Sequence, residues 1–115
     1  MLMFHRSRPE IKRVSRVLTL LNEHGLHARP ATEFVRRVVM FESSITINVR
    51  GRRYRADRIM EVLLADLNRG DTFMLEAEGP DATQAVEHLV SLVKFLREAE
   101  DRAQNARNPN RELIE

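Results

Sequence analysis

The chain has 115 residues, no cysteine and a formal net charge of +2. That length suits one domain with a modest core, and 43% hydrophobic against 31% charged residues fits a soluble globular protein. Disulfide and thiolate chemistry are excluded, no apolar run approaches the roughly 20 residues that span a membrane, and so mild a basic excess does not by itself argue for nucleic acid. Met1 to Phe4 is apolar but too short for a secretory signal. These features are compatible with a cytoplasmic, reducing setting.

Residues 1–13 read as a basic N-terminal extension. Arg6, Arg8, Lys12 and Arg13 face only Glu10, and Pro9 breaks any helix. The plain reading is a solvated arm, and the sharper one is a tail for a partner or nucleic acid. Val14 to Leu21 reads as a strand with apolar groups on both faces, which leaves its inward face unassigned. Asn22 to Gly25 interrupts it. Ala31, Phe34, Val35, Val38 and Val39 then recur at helical spacing, which predicts a helix from Ala28 to Phe41. Ile45, Ile47 and Val49 alternate with Thr46 and Asn48 as in a half-buried strand. Arg50-Gly51 predicts a turn with positive φ at the glycine, followed by a short return strand, Arg52 to Ala56. Arg50, Arg52, Arg53, Arg55 and Arg58 make this corner basic. A solvated edge is the better reading, because Tyr54 alone offers a ring for base stacking.

Asp57 is a suitable N-cap for a second helix that carries Ile59, Met60, Leu63, Leu64 and Leu67, with Gly70 as the left-handed residue after it. This is more apolar surface than one stripe needs, so part of it is expected to be exposed. Thr72 to Glu78 alternates again. Gly79-Pro80 predicts a turn, and Asp81 with Gln84 resembles a capping box for a third helix lined by Ala85, Leu89, Leu92, Val93 and Leu96. Residues 99–115 are polar and read as a frayed tail in which Leu113 and Ile114 have no evident partner. The order β-α-β-β-α-β-α predicts an α+β domain over residues 14–98, one sheet with helices on one face.

The chemistry gathers in Gly25-Leu26-His27-Ala28-Arg29-Pro30-Ala31. Pro30 belongs in a first helical turn, where its missing N–H is harmless. His27 then sits at or beside the N-cap, with the backbone N–H groups of Ala28 and Arg29 open beside its ring. Such a start favours an anion, and the Arg29 guanidinium suits phosphate oxygens. A nucleophilic imidazole in that setting points to a histidine that carries a phosphoryl group. The plainer alternatives are a surface histidine and a surface arginine. His24 lies three residues earlier, but two histidines on a turn without a third ligand make poor evidence for zinc. His5 and His88 carry no evident role. No metal cluster, paired carboxylates or glycine-rich nucleotide loop is visible, so neither a metal nor a cofactor is expected.

The stretch GLHARPA, together with Gly51, Ile59-Met60, Gly70 and Gly79 in order between Val14 and Leu96, resembles the HPr family. These are the histidine-containing phosphocarrier proteins of the bacterial phosphoenolpyruvate-dependent phosphotransferase system. The resemblance implies a four-stranded antiparallel sheet covered by three helices, in a monomeric carrier and not a stand-alone enzyme. It implies His27 phosphorylated on Nδ1, with the other ring nitrogen open to solvent or partner, and Arg29 stabilising the phosphate. It implies enzyme I as donor and enzyme IIA-type or regulatory proteins as acceptors, with docking through Ile59, Met60 and Leu63; from the residues themselves no membrane insertion is expected, and nucleic acid is the less favoured partner. Two departures stand out. His24 replaces a small polar residue, and Arg58 stands where many relatives carry a regulatory serine before Ile59-Met60, so no phosphate can be accepted there. Glu61 is expected to make the docking face more acidic. The competing reading is an HPr-fold binding or regulatory protein that acts through protein or nucleic-acid contacts and in which His27 is vestigial and not phosphorylated.

Overall fold

Strict alternation in two segments decides which side of the sheet is buried. Ile45, Ile47 and Val49 in one strand and Phe73, Leu75 and Ala77 in another are each at most 5% exposed, while the residues between them face out. The computed structural model describes residues 11–107. Over that span the elements are β1 (Lys12–Thr19), α1 (Ala28–Val38), β2 (Ser44–Val49), β3 (Arg52–Arg55), α2 (Ile59–Leu64), β4 (Thr72–Gly79) and α3 (Ala82–Arg107). The strands form one antiparallel sheet in the order β1-β4-β2-β3. Ile47 lies opposite Leu75, and Leu18 lies opposite Phe73. The three helices close over the apolar face, where Phe34, Leu26, Val62, Leu67 and Leu89 join the strand residues in one core. Truncating one of these leucines to alanine leaves a cavity and costs about 2–5 kcal/mol.

Several boundaries differ from those the sequence predicts. Lys12 and Arg13 belong to β1, where Arg13 pairs with Glu78 across the sheet at 3.1 Å. β1 points Val14 and Leu18 inward and leaves Val17 63% exposed. Residues 1–10 of the basic arm, with His5, and the pair Leu113 and Ile114 lie outside the described residues. α1 stops at Val38, and the amides of Met40 and Phe41 bond back three residues in a closing turn. α3 continues to Arg107 where a frayed tail is expected from residue 99. The residues concerned, largely Ala, Glu, Arg and Gln, are polar but strong helix formers, and propensity outweighs polarity there.

The helix caps also differ. α2 begins after Arg58, and the Asp57 carboxylate pairs with the Arg55 guanidinium at 2.8 and 3.1 Å instead of capping. Glu61, in the first turn, reaches back to accept from the Arg55 amide at 2.7 Å. α2 ends three residues short of Leu67, and the left-handed residue that closes it is Asp66 (φ 51); Gly70 also has a positive φ (91) but lies farther along the loop. Aspartate tolerates this conformation better than most residues. Arg50, from the basic corner, donates to the carbonyl oxygens of Ala65 and Asp66 and so closes this helix end. At α3, the Asp81 carboxylate accepts from the amides of Glu42 and Ser43, both at 2.9 Å, and from the Ser43 hydroxyl. It fastens the connection between α1 and β2 where a capping box with Gln84 is expected.

Candidate active site

The loop between β1 and α1 is seated on the segment that follows α2. The Leu26 amide donates to the Leu67 carbonyl at 2.9 Å, and Leu26 is fully buried. Gly25 makes the approach possible. Its φ is +56, and a Cβ there would stand 2.2 Å from the Leu67 carbonyl oxygen. Asn22, 1% exposed, donates its side-chain amide to the Gly25 carbonyl at 3.0 Å. His27 is thereby delivered to the N-cap of α1 in an extended conformation (φ −123, ψ 163), and its ring makes no capping bond. Ala28 follows with φ +53. A left-handed alanine costs on the order of 1–2 kcal/mol, so the surrounding contacts hold it there. The first amides of α1, at Ala28 and Arg29, have no carbonyl one turn earlier to bond.

The ring itself is held from behind. His27 Nε2 lies 3.1 Å from Asn68 Oδ1 and 3.3 Å from Asp66 Oδ1. Asn68 spends its own amide hydrogens on the carbonyl and carboxylate of Asp66, at 3.1 and 3.3 Å. Its oxygen is therefore the atom turned to the ring. Both neighbours of Nε2 are acceptors, so Nε2 carries the hydrogen and donates. In the neutral ring this leaves the lone pair on Nδ1. The expectation that the second nitrogen is open to solvent or partner is thus corrected, because Asn68 and Asp66 of the loop after α2 engage it. Asp66 and Asn68 are the residues that sequence reasoning missed. They stand some forty positions from His27, and no local pattern marks them.

Arg29 is exposed and makes no hydrogen bond or ion pair with a described residue. Its side chain lines a groove between the first turn of α1 and the far end of α3, with Phe95, Ala99 and Arg107 on the other wall. Ile59 is 37% and Met60 66% exposed, whereas Leu63 packs half-buried on the core. Leu64, at 68%, is the apolar residue that continues this surface. Arg58 occupies the N-cap of α2, and its carbonyl accepts from Val62 at 3.0 Å. Glu61 is half-buried on the Arg55 amide, so it adds less acidity to this face than its sequence position implies. His88 accepts from Arg37 at 2.9 Å and packs its ring on Phe41, which makes it part of the contact between α1 and α3.

The family model described as PTS HPr component phosphorylation site matches residues 14–94. The chain belongs to the HPr family. It is 39% identical over 74 residues to the phosphocarrier protein HPr of Vibrio cholerae, covering 64% of this chain and 87% of that protein. It is 35% identical over 82 residues to the HPr of Haemophilus influenzae, covering 71% of this chain and 96% of that one. Among solved structures, an HPr from Thermoanaerobacter tengcongensis aligns with a TM-score of 0.70 at 32% identity, over 76% of this chain and 96% of that chain. The four antiparallel strands and three helices are therefore an HPr fold, and the chain is a phosphocarrier-family component of the phosphotransferase system. Among the described residues no helix is long and apolar enough to cross a membrane.

Proposed function

We propose that this HPr-family chain carries a phosphoryl group on Nδ1 of His27. The group is taken from enzyme I, with phosphoenolpyruvate as its source, and handed to enzyme IIA-type or regulatory acceptors. The observation that supports this most is the engagement of Nε2 by two acceptors, Asn68 and Asp66, beside an open helix start. The lone pair of Nδ1 attacks phosphorus, and the P–N bond forms as the bond from phosphorus to the donor breaks. The donor group departs with that electron pair. As the lone pair is committed, the ring gains positive charge, and the Nε2–H bond to the Asp66 carboxylate strengthens where that charge develops. Arg29 and the first amides of α1 answer the phosphoryl oxygens. The partner supplies the in-line geometry, so the carrier needs position more than catalytic power. Ile59 and Met60, joined by Leu64 and flanked by Leu63, form the apolar docking surface for these partners.

The test is mass spectrometry after incubation with enzyme I and phosphoenolpyruvate. One acid-labile phosphate on His27 is expected. Equal labelling of a His27→Ala variant would contradict the assignment.

A further inference from the structure

The family match ends at residue 94, but α3 runs on to Arg107. Within that added length one side chain turns back to the loop that carries His27. Glu100 Oε1 accepts from the Glu23 amide at 2.6 Å. Its Oε2 accepts from the Asn22 side-chain amide at 3.0 Å and meets His24 Nδ1 at 3.1 Å. Three consecutive loop residues are thus gathered on one carboxylate. Two of them lead on to His27. The Asn22 amide that reaches Glu100 also holds the Gly25 carbonyl, and the His24 carbonyl accepts from the His27 amide at 3.3 Å. Burial pushes the Glu100 carboxyl up, but the bonds from Asn22, His24 and the Glu23 amide more than offset it and hold the group below the usual glutamate range.

We infer that Glu100 is a positioning residue for the phosphorylation of His27, supplied by the stretch of α3 beyond the family match. It touches neither the ring nor the phosphate. It fixes the first half of the loop, residues 22–24, while the Leu26 bond to Leu67 fixes the second. Between these two anchors the ring is held at the angle that sets Nδ1 toward an incoming phosphorus. A loop anchored only at its second half would sample more orientations, and transfer is sensitive to displacements of about 1 Å. The inference rests on the phosphocarrier reading and adds the part of the chain that enforces its geometry.

The experiment compares the full chain with its Glu100→Ala and Glu100→Gln variants. Amide hydrogen exchange and the rate of phosphorylation by enzyme I and phosphoenolpyruvate are both measured. In Glu100→Ala, exchange at Glu23 and at Gly25 to His27 should rise about tenfold, with the core amides of Leu75 and Leu89 unchanged. Phosphorylation should slow by about 3- to 30-fold. Glu100→Gln keeps one acceptor oxygen for the Glu23 amide and should fall between the two. Unchanged loop exchange, a uniform rise that includes Leu75 and Leu89, or an unchanged phosphorylation rate would each overturn the positioning role. An unlabelled wild-type chain would instead sink the carrier reading, and this role with it.

Discussion

At the start of α3 the Asp81 carboxylate is saturated by the amides of Glu42 and Ser43 and the Ser43 hydroxyl. At the start of α1 His27 caps nothing, the next residue is left-handed, and the ring is gripped only on its far nitrogen. One helix start is wired into the scaffold. The other leaves one nitrogen of its side chain unspent. Both occur within one small fold, so the difference comes from which contacts each residue is given and not from helix geometry. Bonding capacity is consumed where rigidity is needed and left open where the proposed function brings an anion.

The largest break in this contrast should come from Arg29. Arg29→Ala removes the fixed positive charge at the open start, and phosphoryl transfer should fall by roughly 100-fold with the fold intact. Wild-type rates in that variant, measured by rapid quench, would remove Arg29 from the site. Arg29→Lys keeps the charge but loses the planar fork and should recover only part of the rate.

Asp81→Asn should act in the opposite sense, lowering stability and leaving transfer rates alone. The Ser43 hydroxyl bond, followed by the two amides, holds the Asp81 carboxyl below its ordinary value of 3.8 despite some opposing desolvation. A depressed folded value means that the ionised group stabilises the native state above that pH, and that the benefit fades as pH falls through the folded value. The melting temperature of Asp81→Asn should therefore lie about 4–8 °C below wild type at neutral pH, as for a loss of about 1 kcal/mol. The gap should begin to narrow only below pH 3.8 and close as the pH falls through the lower, folded value. A gap that persists unchanged in acid would mean the carboxylate's charge is not what holds the connection.

Smaller effects are expected on the docking surface. Met60→Glu should weaken binding of enzyme I by about tenfold, since the proposed docking would place a charge where an apolar contact is expected. Its stability should stay within about 0.5 kcal/mol of wild type, because the position is exposed. Unchanged affinity in titration calorimetry would remove Met60 from the interface. The smallest effect is a null. Arg58 has no hydroxyl, so incubation with an ATP-dependent kinase specific for a serine at that position should leave the intact mass unchanged. Acid-stable phosphate near α2 would show that the switch resides in another residue.

Much of this architecture was legible in the residues. The alternation in β2 and β4 and the spacing of Ala31, Phe34 and Val38 specify sheet and helix because local period and burial agree there. His27 at a helix start followed by Pro30 was legible for the same reason. The face of β1 was not, because its exposed side also carries an apolar residue, Val17. Asp57 and Asp81 were read as caps from residue type, and tertiary partners claimed both carboxylates. Asp66, Asn68 and Glu100 left no trace in sequence, because each reaches the loop from a distant element and only folding brings it there.

The nitrogen that holds the proton is the point on which the site turns. It can be read by ¹⁵N NMR of the His27 ring, first in the free protein with the imidazole neutral and then after phosphorylation. The free ring should show the Nε2–H tautomer, that preference should weaken in Asn68→Ala, and phosphorus coupling should appear at Nδ1. An Nδ1–H tautomer in the free protein, or phosphate on Nε2, would contradict the role assigned to Asp66 and Asn68.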